Sequence, residues 1–362
     1  MAQRNPLCIA ELVDACISYL SSPRDLKACA LVSRLWVGPA QSRLFSNPSI
    51  LKWHPFLNRL SSSPHLIRHV RHLYINLEDV AILKRIAAVH FTHLRSIVVI
   101  WSRGRDYLPI GCIVSLQQLF CLPALRRISL HCSFYYEDEY AAIWNQCSPS
   151  IKDITLDCWA ADHSSLGVGV DVDALHPKNT SLSPQGAIAL QSLRMCSLQM
   201  LDYALIQKSC AFNLSKLKFL SIGWGADVPW PQFSPAVRSI EGLDIAVNDS
   251  IASLVLSAFP NLTSLEIYLG FWIPPERRLA VVDQLFSTLS ATNTLQKIVI
   301  CPNNAEQMDG ALCTMLDAKL SIAPMSPTLV VELEVDPNTY EGIWPLFPTL
   351  NTRNSLRRAD RR

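Results

Sequence analysis

The sequence predicts an α/β fold in which short parallel strands alternate with helices, preceded by three short helices. Two observations carry the α/β part. An apolar residue, two variable, an apolar, one variable and an apolar recur ten times: Val70-Leu73-Ile75, Leu94-Ile97-Val99, Leu125-Ile128-Leu130, Ile151-Ile154-Leu156, Leu190-Leu193-Met195, Leu217-Leu220-Ile222, Ile240-Leu243-Ile245, Leu262-Leu265-Ile267, Leu295-Ile298-Ile300 and Val330-Leu333-Val335. The copies follow one another at steps of 22 to 39 residues, and helical periodicity fills the gaps. The third observation is at the N-terminus, where Ser22, Pro23 and Asp25 write a helix start: an N-cap, a first-position proline and a first-turn acid.

That helix begins a stripe, Leu26, Cys29, Val32 and Trp36, at three- and four-residue steps. A helix before it carries Leu12, Ile17 and Leu20, and a third pattern runs from Pro39 to Phe45. Three helices in about 40 residues bury little core on their own, and such pieces are usually stabilised by a neighbour or partner. The frame Glu11-Leu12, Ile17, Leu20, Asp25-Leu26, Cys29, Val32-Ser33, Trp36 and Leu44-Phe45 resembles the F-box, the helical module that binds the adaptor of SCF-type cullin-RING ubiquitin ligases. The family usually opens with Leu-Pro, where this chain has Ile9-Ala10. The resemblance implies an adaptor-binding set of Ile9, Ala10, Leu12, Ile17, Leu20, Leu26, Val32 and Trp36, and through the adaptor a cullin. The bland reading of the same residues is a helical cap on the domain that follows.

The expected organisation is a helical module over 1–50, a connector over 51–69, a repeat region over 70–350 and a basic disordered tail over 351–362. Helices are expected over Leu77–Val89, Ile113–Phe120, Glu137–Trp144, Gln199–Ala211, Ser250–Phe259, Pro275–Leu289 and Ala305–Ile322. Strand and helix repeated at this spacing resemble an irregular leucine-rich-repeat-like solenoid with outer helices, of the degenerate type found behind F-boxes in fungal proteins. An ordinary α/β domain with parallel strands is the alternative. Two interruptions, Cys158–Leu190 and Gly225–Pro235, read as surface insertions because glycine, proline and polar residues replace the periodic pattern.

Composition narrows function further. Hydrophobic residues are 49% of the 362 and charged residues 17%, so the chain is globular. Five arginines and Asp360 give residues 351–362 a charge of +4, which leaves about −2 of the formal +2 for the body. No basic body exists to bind nucleic acid by counterion release. Twelve cysteines without a CxxC pair read as free thiols in a reducing compartment, the cytoplasm or nucleus. No signal peptide or membrane-spanning run is expected.

No catalytic constellation is legible. Gly167-Val168-Gly169 lacks the third glycine of a dinucleotide fingerprint, and Asp171 and Asp173 lack the further ligands of a calcium loop. His65, His69, His72, His90 and His93 have no cysteine at metal-ligand spacing and read as solvated or half-buried imidazoles. Neither a metal nor a cofactor is expected, and the chain reads as a non-enzyme that binds a protein substrate.

Two features suggest where. Positions that face outward from the strands carry Arg71, Arg95, Arg126, Arg127, Lys152, Arg194 and Lys218 against Asp153 alone in the first six copies, but Glu241, Asp244, Glu266, Glu332 and Glu334 against Lys297 alone in the last four. Sorted charge can steer a partner, although solvated strand charges read the same way. Trp101, Trp159, Trp224 and Trp272 fall just past their strands and would form a rim of anchors if exposed, or core plugs if not.

Overall fold

The structure is a computed structural model, and it describes residues 9–51, 55–77, 79–101, 107–134, 142–144, 147–160, 188–196, 212–223, 233–234, 236–270, 273–289, 294–302, 307–322 and 329–359. It is a mixed α/β chain with extensive parallel sheet. Among the described residues it divides into two compact units, with the division between Ile151 and Lys152.

The first unit starts with three helices, α1 (Ala10–Ser18), α2 (Pro23–Cys29) and α3 (Arg34–Phe45). Parallel strands β1 (Ser49–Leu51), β2 (His72–Leu77), β3 (Ser96–Trp101) and β4 (Arg127–Phe134) follow and lie side by side in chain order. Between them come α4 (Pro55–Ser62), α5 (Val80–Ala87) and α6 (Ile113–Phe120), the last over the bounds its periodicity predicts. The Asp79 side chain accepts the Ala81 N–H at 2.8 Å and starts α5.

The second unit holds β5 (Asp153–Ala160), β7 (Ser192–Met195), β9 (Phe219–Ile222), β10 (Gly242–Ala246), β11 (Ser264–Leu269), β12 (Lys297–Pro302), β13 (Val330–Leu333) and β14 (Leu356–Arg358), adjacent in that order. The short strands β6 (Ile188–Ala189) and β8 (Phe212–Asn213) pair separately. Helix α7 (Pro275–Ser287) precedes β12, α8 (Gly310–Ile322) precedes β13, and α9 (Pro337–Ile343) and α10 (Pro348–Thr352) precede β14. Ser250–Phe259, expected as one helix, is instead two 3-10 turns, Asp249–Ser253 and Leu256–Ala258. The Asn248 side chain accepts the Ile251 N–H at 3.2 Å and turns the chain early. Gln199–Ala211 lies outside the described residues, as does most of Glu137–Trp144.

The apolar triplets set the register. Leu73 pairs with Ile97 and Ile97 with Ile128; Ile75 pairs with Val99 and Val99 with Leu130. In the second unit Ile154, Leu193, Leu220, Leu243, Leu265, Ile298 and Val331 succeed one another across the sheet in the same way. All of these side chains are buried. Period-two alternation sends them to one face, and a one-residue slip would expose them. The tenth triplet is misplaced by two residues in the sequence reading. Ile298 lies opposite Val331 and Ile300 opposite Leu333, so Leu333 takes the triplet's last place rather than its middle one.

Both ends of the stranded region lie further out than the pattern indicates. The expected connector 51–69 contains α4, whose Phe56, Leu57 and Leu60 are buried, and a 3-10 turn over Pro64–His69. Ahead of it, Ile50 is buried opposite Ile75 in β1. The tail expected to be disordered supplies β14, with Leu356 buried opposite Val331. Buried Asp317 of α8 holds this end in place. Its carboxylate accepts the backbone N–H groups of Thr349 (3.1 Å) and Leu350 (2.9 Å) at the start of α10. Exposed Arg357 and Arg358 keep the outer edge charged, which suits an edge strand.

Deleting residues 355–362 should therefore destabilise the second unit rather than remove an idle tail. Burial of Leu356 alone contributes about 1.5–3 kcal/mol. At about 2–4 °C per kcal/mol for a unit of this size, a loss of several degrees in thermal unfolding is expected. Asp317→Ala should act in the same direction, by stranding the two N–H groups of α10.

Candidate functional site

The N-terminal helices contain a small closed core. Val13 and Ile17, one turn apart on α1, meet Leu26 of α2 and Ala40 of α3, and all four are buried. Leu20, Cys29, Ala30, Trp36 and Leu44 pack around them half-buried. The predicted cap is present, with the Ser22 side chain accepting the Asp25 N–H at 3.4 Å ahead of Pro23. Arg43 donates from Nε to the Leu20 carbonyl at 3.5 Å, tying α3 to the end of α1.

This core divides the adaptor-binding set. Ile17 and Leu26 are consumed inside the module and offer nothing to a partner, while Leu20 and Trp36 are half-buried against them. Ile9, Ala10, Leu12 and Val32 are exposed. The stripe read from the sequence therefore does not form a single surface. Leu26 turns inward, and Val32, in the turn after α2, turns out with 63% of its surface exposed. The sequence reading also missed Tyr19, Leu31 and Leu35, of which Tyr19 and Leu31 are 88% and 87% exposed. Of ten large hydrophobic side chains exposed among the described residues, six lie between Ile9 and Leu35. Scattered exposed apolar residues are ordinary, but this concentration sets the N-terminal helices apart from the other described residues.

The predicted substrate residues separate in a similar way. Arg126, Arg127 and Lys152 are exposed. Glu241 is exposed and ion-paired to Lys218 at 2.8 Å. Asp244, expected on the open face, is buried on β10. Trp101, expected as a rim anchor, is a core plug with only 8% exposed, because β3 ends where its indole packs inward. Trp159 lies in β5 with its side chain outside the described residues, and Trp224 and Trp272 lie outside them altogether. Arg194 sits 4.8 Å from the centre of the Phe219 ring, a cation–π contact. That ring lies over Gly242, where an added Cβ would approach it to 3.0 Å, tight enough that the ring would have to shift by a few tenths of an ångström.

One polar cluster was not anticipated. Glu266 of β11, Cys301 of β12 and Glu334 just past β13 bring their donor atoms within 4.8 Å of one another. The buried Cys301 thiol donates to Glu334 at 3.2 Å and Glu266 at 3.7 Å, and the Tyr268 hydroxyl donates to Glu266. Burial, then the hydrogen bond to Glu334 and the charge of Glu266, push the Cys301 thiol well above its ordinary range. Tyr268 is pushed up by burial and by its bond to Glu266. A thiol and two carboxylates are a donor set that a divalent metal accepts. As the structure stands, the thiol is a protonated hydrogen-bond donor, the opposite of an activated nucleophile. Only residues distant in sequence but adjacent across the sheet make the cluster, and strand spacing alone does not reveal it.

No helix among the described residues is long and apolar enough to cross a membrane. No protein-family model and no curated protein matches the chain.

Two outcomes check this division of roles. Leu26→Ala should cost about 2–5 kcal/mol and melt the helical module, as loss of a buried leucine does. Ala10→Pro should stabilise it by about 0.4–1 kcal/mol. Ala10 is the first helical residue and Ile9 before it is extended (φ −95°, ψ 114°), which is the conformation a following proline demands. Circular-dichroism melts of the full chain measure both. In alkylation at pH 8 read by mass spectrometry, exposed Cys16, Cys121 and Cys196 should label quickly. Cys112, raised by burial to about 11, and Cys301 should label only on unfolding.

Proposed function

We propose that this chain is the substrate receptor of an SCF-type cullin-RING ubiquitin ligase. Helices α1–α3 dock on the ligase adaptor and through it on a cullin. The strand faces hold a protein substrate for ubiquitin transfer by other subunits. The observation that carries this reading is the exposed apolar set Ile9, Leu12, Leu31, Val32 and Leu35, on and between helices whose core is already complete. Such side chains remain in water only at a cost of ~0.8 kcal/mol per CH₂ that a partner could cover.

The module also carries the F-box frame from Glu11 to Phe45, with its capped second helix. In this reading the receptor has no catalytic residue. Its contribution is positioning, which raises the effective concentration of a bound protein beside the transfer enzyme. The repeat region continues the leucine-rich-repeat-like reading, supported by triplets that pair in register within each unit. The ligase reading places the chain in the cytoplasm or nucleus.

Co-purification with the adaptor tests the proposal. Leu31→Asp with Val32→Asp should leave the melt unchanged, since both side chains are exposed, and should weaken adaptor capture by about tenfold or more, the loss of one to two interface anchors. If the wild-type chain captures no adaptor, the chain is an interaction scaffold whose F-box has drifted, and the ligase reading fails. Ile9-Ala10 in place of Leu-Pro is the feature that favours that second reading.

A further inference from the structure

Among the described residues, the leading edge of β2–β4 carries positive charge with little to oppose it. The Arg95 N–H donates to the Arg71 carbonyl at 2.7 Å and the Arg126 N–H to the Arg95 carbonyl at 2.8 Å. Three arginines therefore succeed one another one strand apart, ~4.8 Å per step. Arg95 and Arg126 are exposed, and Arg71 is half-buried. One residue further on, His72, Ser96 and Arg127 form the next row. The 3-10 turn ahead of β2 adds His65, Arg68 and His69, with Arg68 Nε 3.3 Å from His69 Nε2.

Among the described residues from 46 to 151, the single carboxylate is Asp79, and it caps α5 beyond the far end of β2. None of Arg71, Arg95 and Arg126 has an ion pair among the described residues. The second unit differs, since its Lys218 pairs with Glu241 and its Lys297 with Glu332, each at 2.8 Å. Like charges on neighbouring strands are destabilising, so an unneutralised row of this kind is a cost that an anionic partner would remove.

We propose that the row Arg71, Arg95 and Arg126 is a docking site for an acidic peptide segment, its carboxylate or phosphate groups bridging adjacent arginines. Guanidinium forks match both oxyanions in two-point geometry. The row spans ~10 Å, which suits two or three acidic side chains of an extended peptide, whose same-side positions repeat every ~6.6 Å. A nucleic acid fits less well. Single strands need aromatic platforms, and Tyr74 is the one large aromatic exposed on these strands, while the whole chain carries only +2. The inference rests on the substrate-holding half of the proposed function and is independent of the adaptor-docking half.

Histidines give the site a pH signature. His69 lies against Arg68, His65, Arg71 and His93, and His72 against Arg127, Arg95 and Arg71. Burial first, and then the neighbouring arginine charges, hold both imidazoles below their ordinary pKa, so they are mostly neutral at pH 7. A bound anion favours the protonated rings and raises those pKa values. Binding then takes up protons, and affinity rises as pH falls through the histidine range.

The test is fluorescence anisotropy with the full chain and labelled peptides: one glutamate-rich, one phosphoserine-containing of equal charge, and one neutral. Both acidic peptides should bind, weakening with salt, and their ratio distinguishes carboxylate from phosphate as the preferred group. Arg95→Ala with Arg126→Ala, both at exposed positions, should cost about tenfold or more. Arg95→Glu with Arg126→Glu should reverse preference toward a lysine-rich peptide, a result that unfolding would not produce. Affinity for the glutamate-rich peptide, whose own charge is constant in this range, should be several-fold higher at pH 6 than at pH 8, and His72→Gln should flatten that dependence. Absence of binding at low salt, equal binding of the neutral peptide, or unchanged affinity in the double-alanine chain would overturn the proposal. So would a DNA duplex that displaces both acidic peptides at equal charge. A chain that fails to capture the adaptor yet binds these peptides loses the ligase reading alone.

Discussion

Parallel pairing of one apolar row against the next is the interaction on which the rest of the structure depends. Each strand is too short to bury its own side chains, so Leu243 is covered only because Leu220 and Leu265 flank it on either side. Where β9 ends, the Gly223 N–H meets the Met195 carbonyl at 2.6 Å, and an added Cβ would come within 2.9 Å of the Cys196 backbone. Close approach of neighbouring backbones is thus built in beside the rows. Within each unit, register places every outward residue as firmly as the inward ones. The three arginines of one edge and the Glu266, Cys301 and Glu334 cluster are by-products of the same ladder.

The N-terminal helices follow a different rule. With so little chain, they complete a core of four buried residues and leave the remaining apolar side chains in water. An apolar stripe on a short helix therefore has two possible ends, packing or presentation. Leu26 and Val32 share one stripe and take opposite ends. The division matters for function, because only the presented residues can recruit a partner without first unfolding the module.

Charge is treated unevenly as well. The second unit pairs two of its outward cations, Lys218 with Glu241 and Lys297 with Glu332, and buries Asp244. Among its described residues from 46 to 151, the first unit has one carboxylate, Asp79, with which to do so. Paired charges on a surface contribute little to stability or to recognition, whereas an unpaired row keeps its field for a ligand. The contrast between the two faces lies in which cations remain uncommitted, more than in their number.

What the sequence by itself determined is whatever depends on local period and local capping. Nine of the ten strand positions, the bounds of α6 and the Ser22-Pro23 helix start were legible because a strand repeats every two residues, a helix every 3.6, and a cap needs only its own neighbours. Tertiary structure decided everything that depends on which atoms arrive from elsewhere. Leu356 reads as part of a basic tail until Val331 and Asp317, 25 and 39 residues earlier, give its segment a strand to pair with and a carboxylate to cap the helix before it. Trp101 became a plug and Leu31 a surface residue for the same reason. An apolar side chain carries no mark of whether its partner lies inside the chain or on another molecule, and only packing makes that choice.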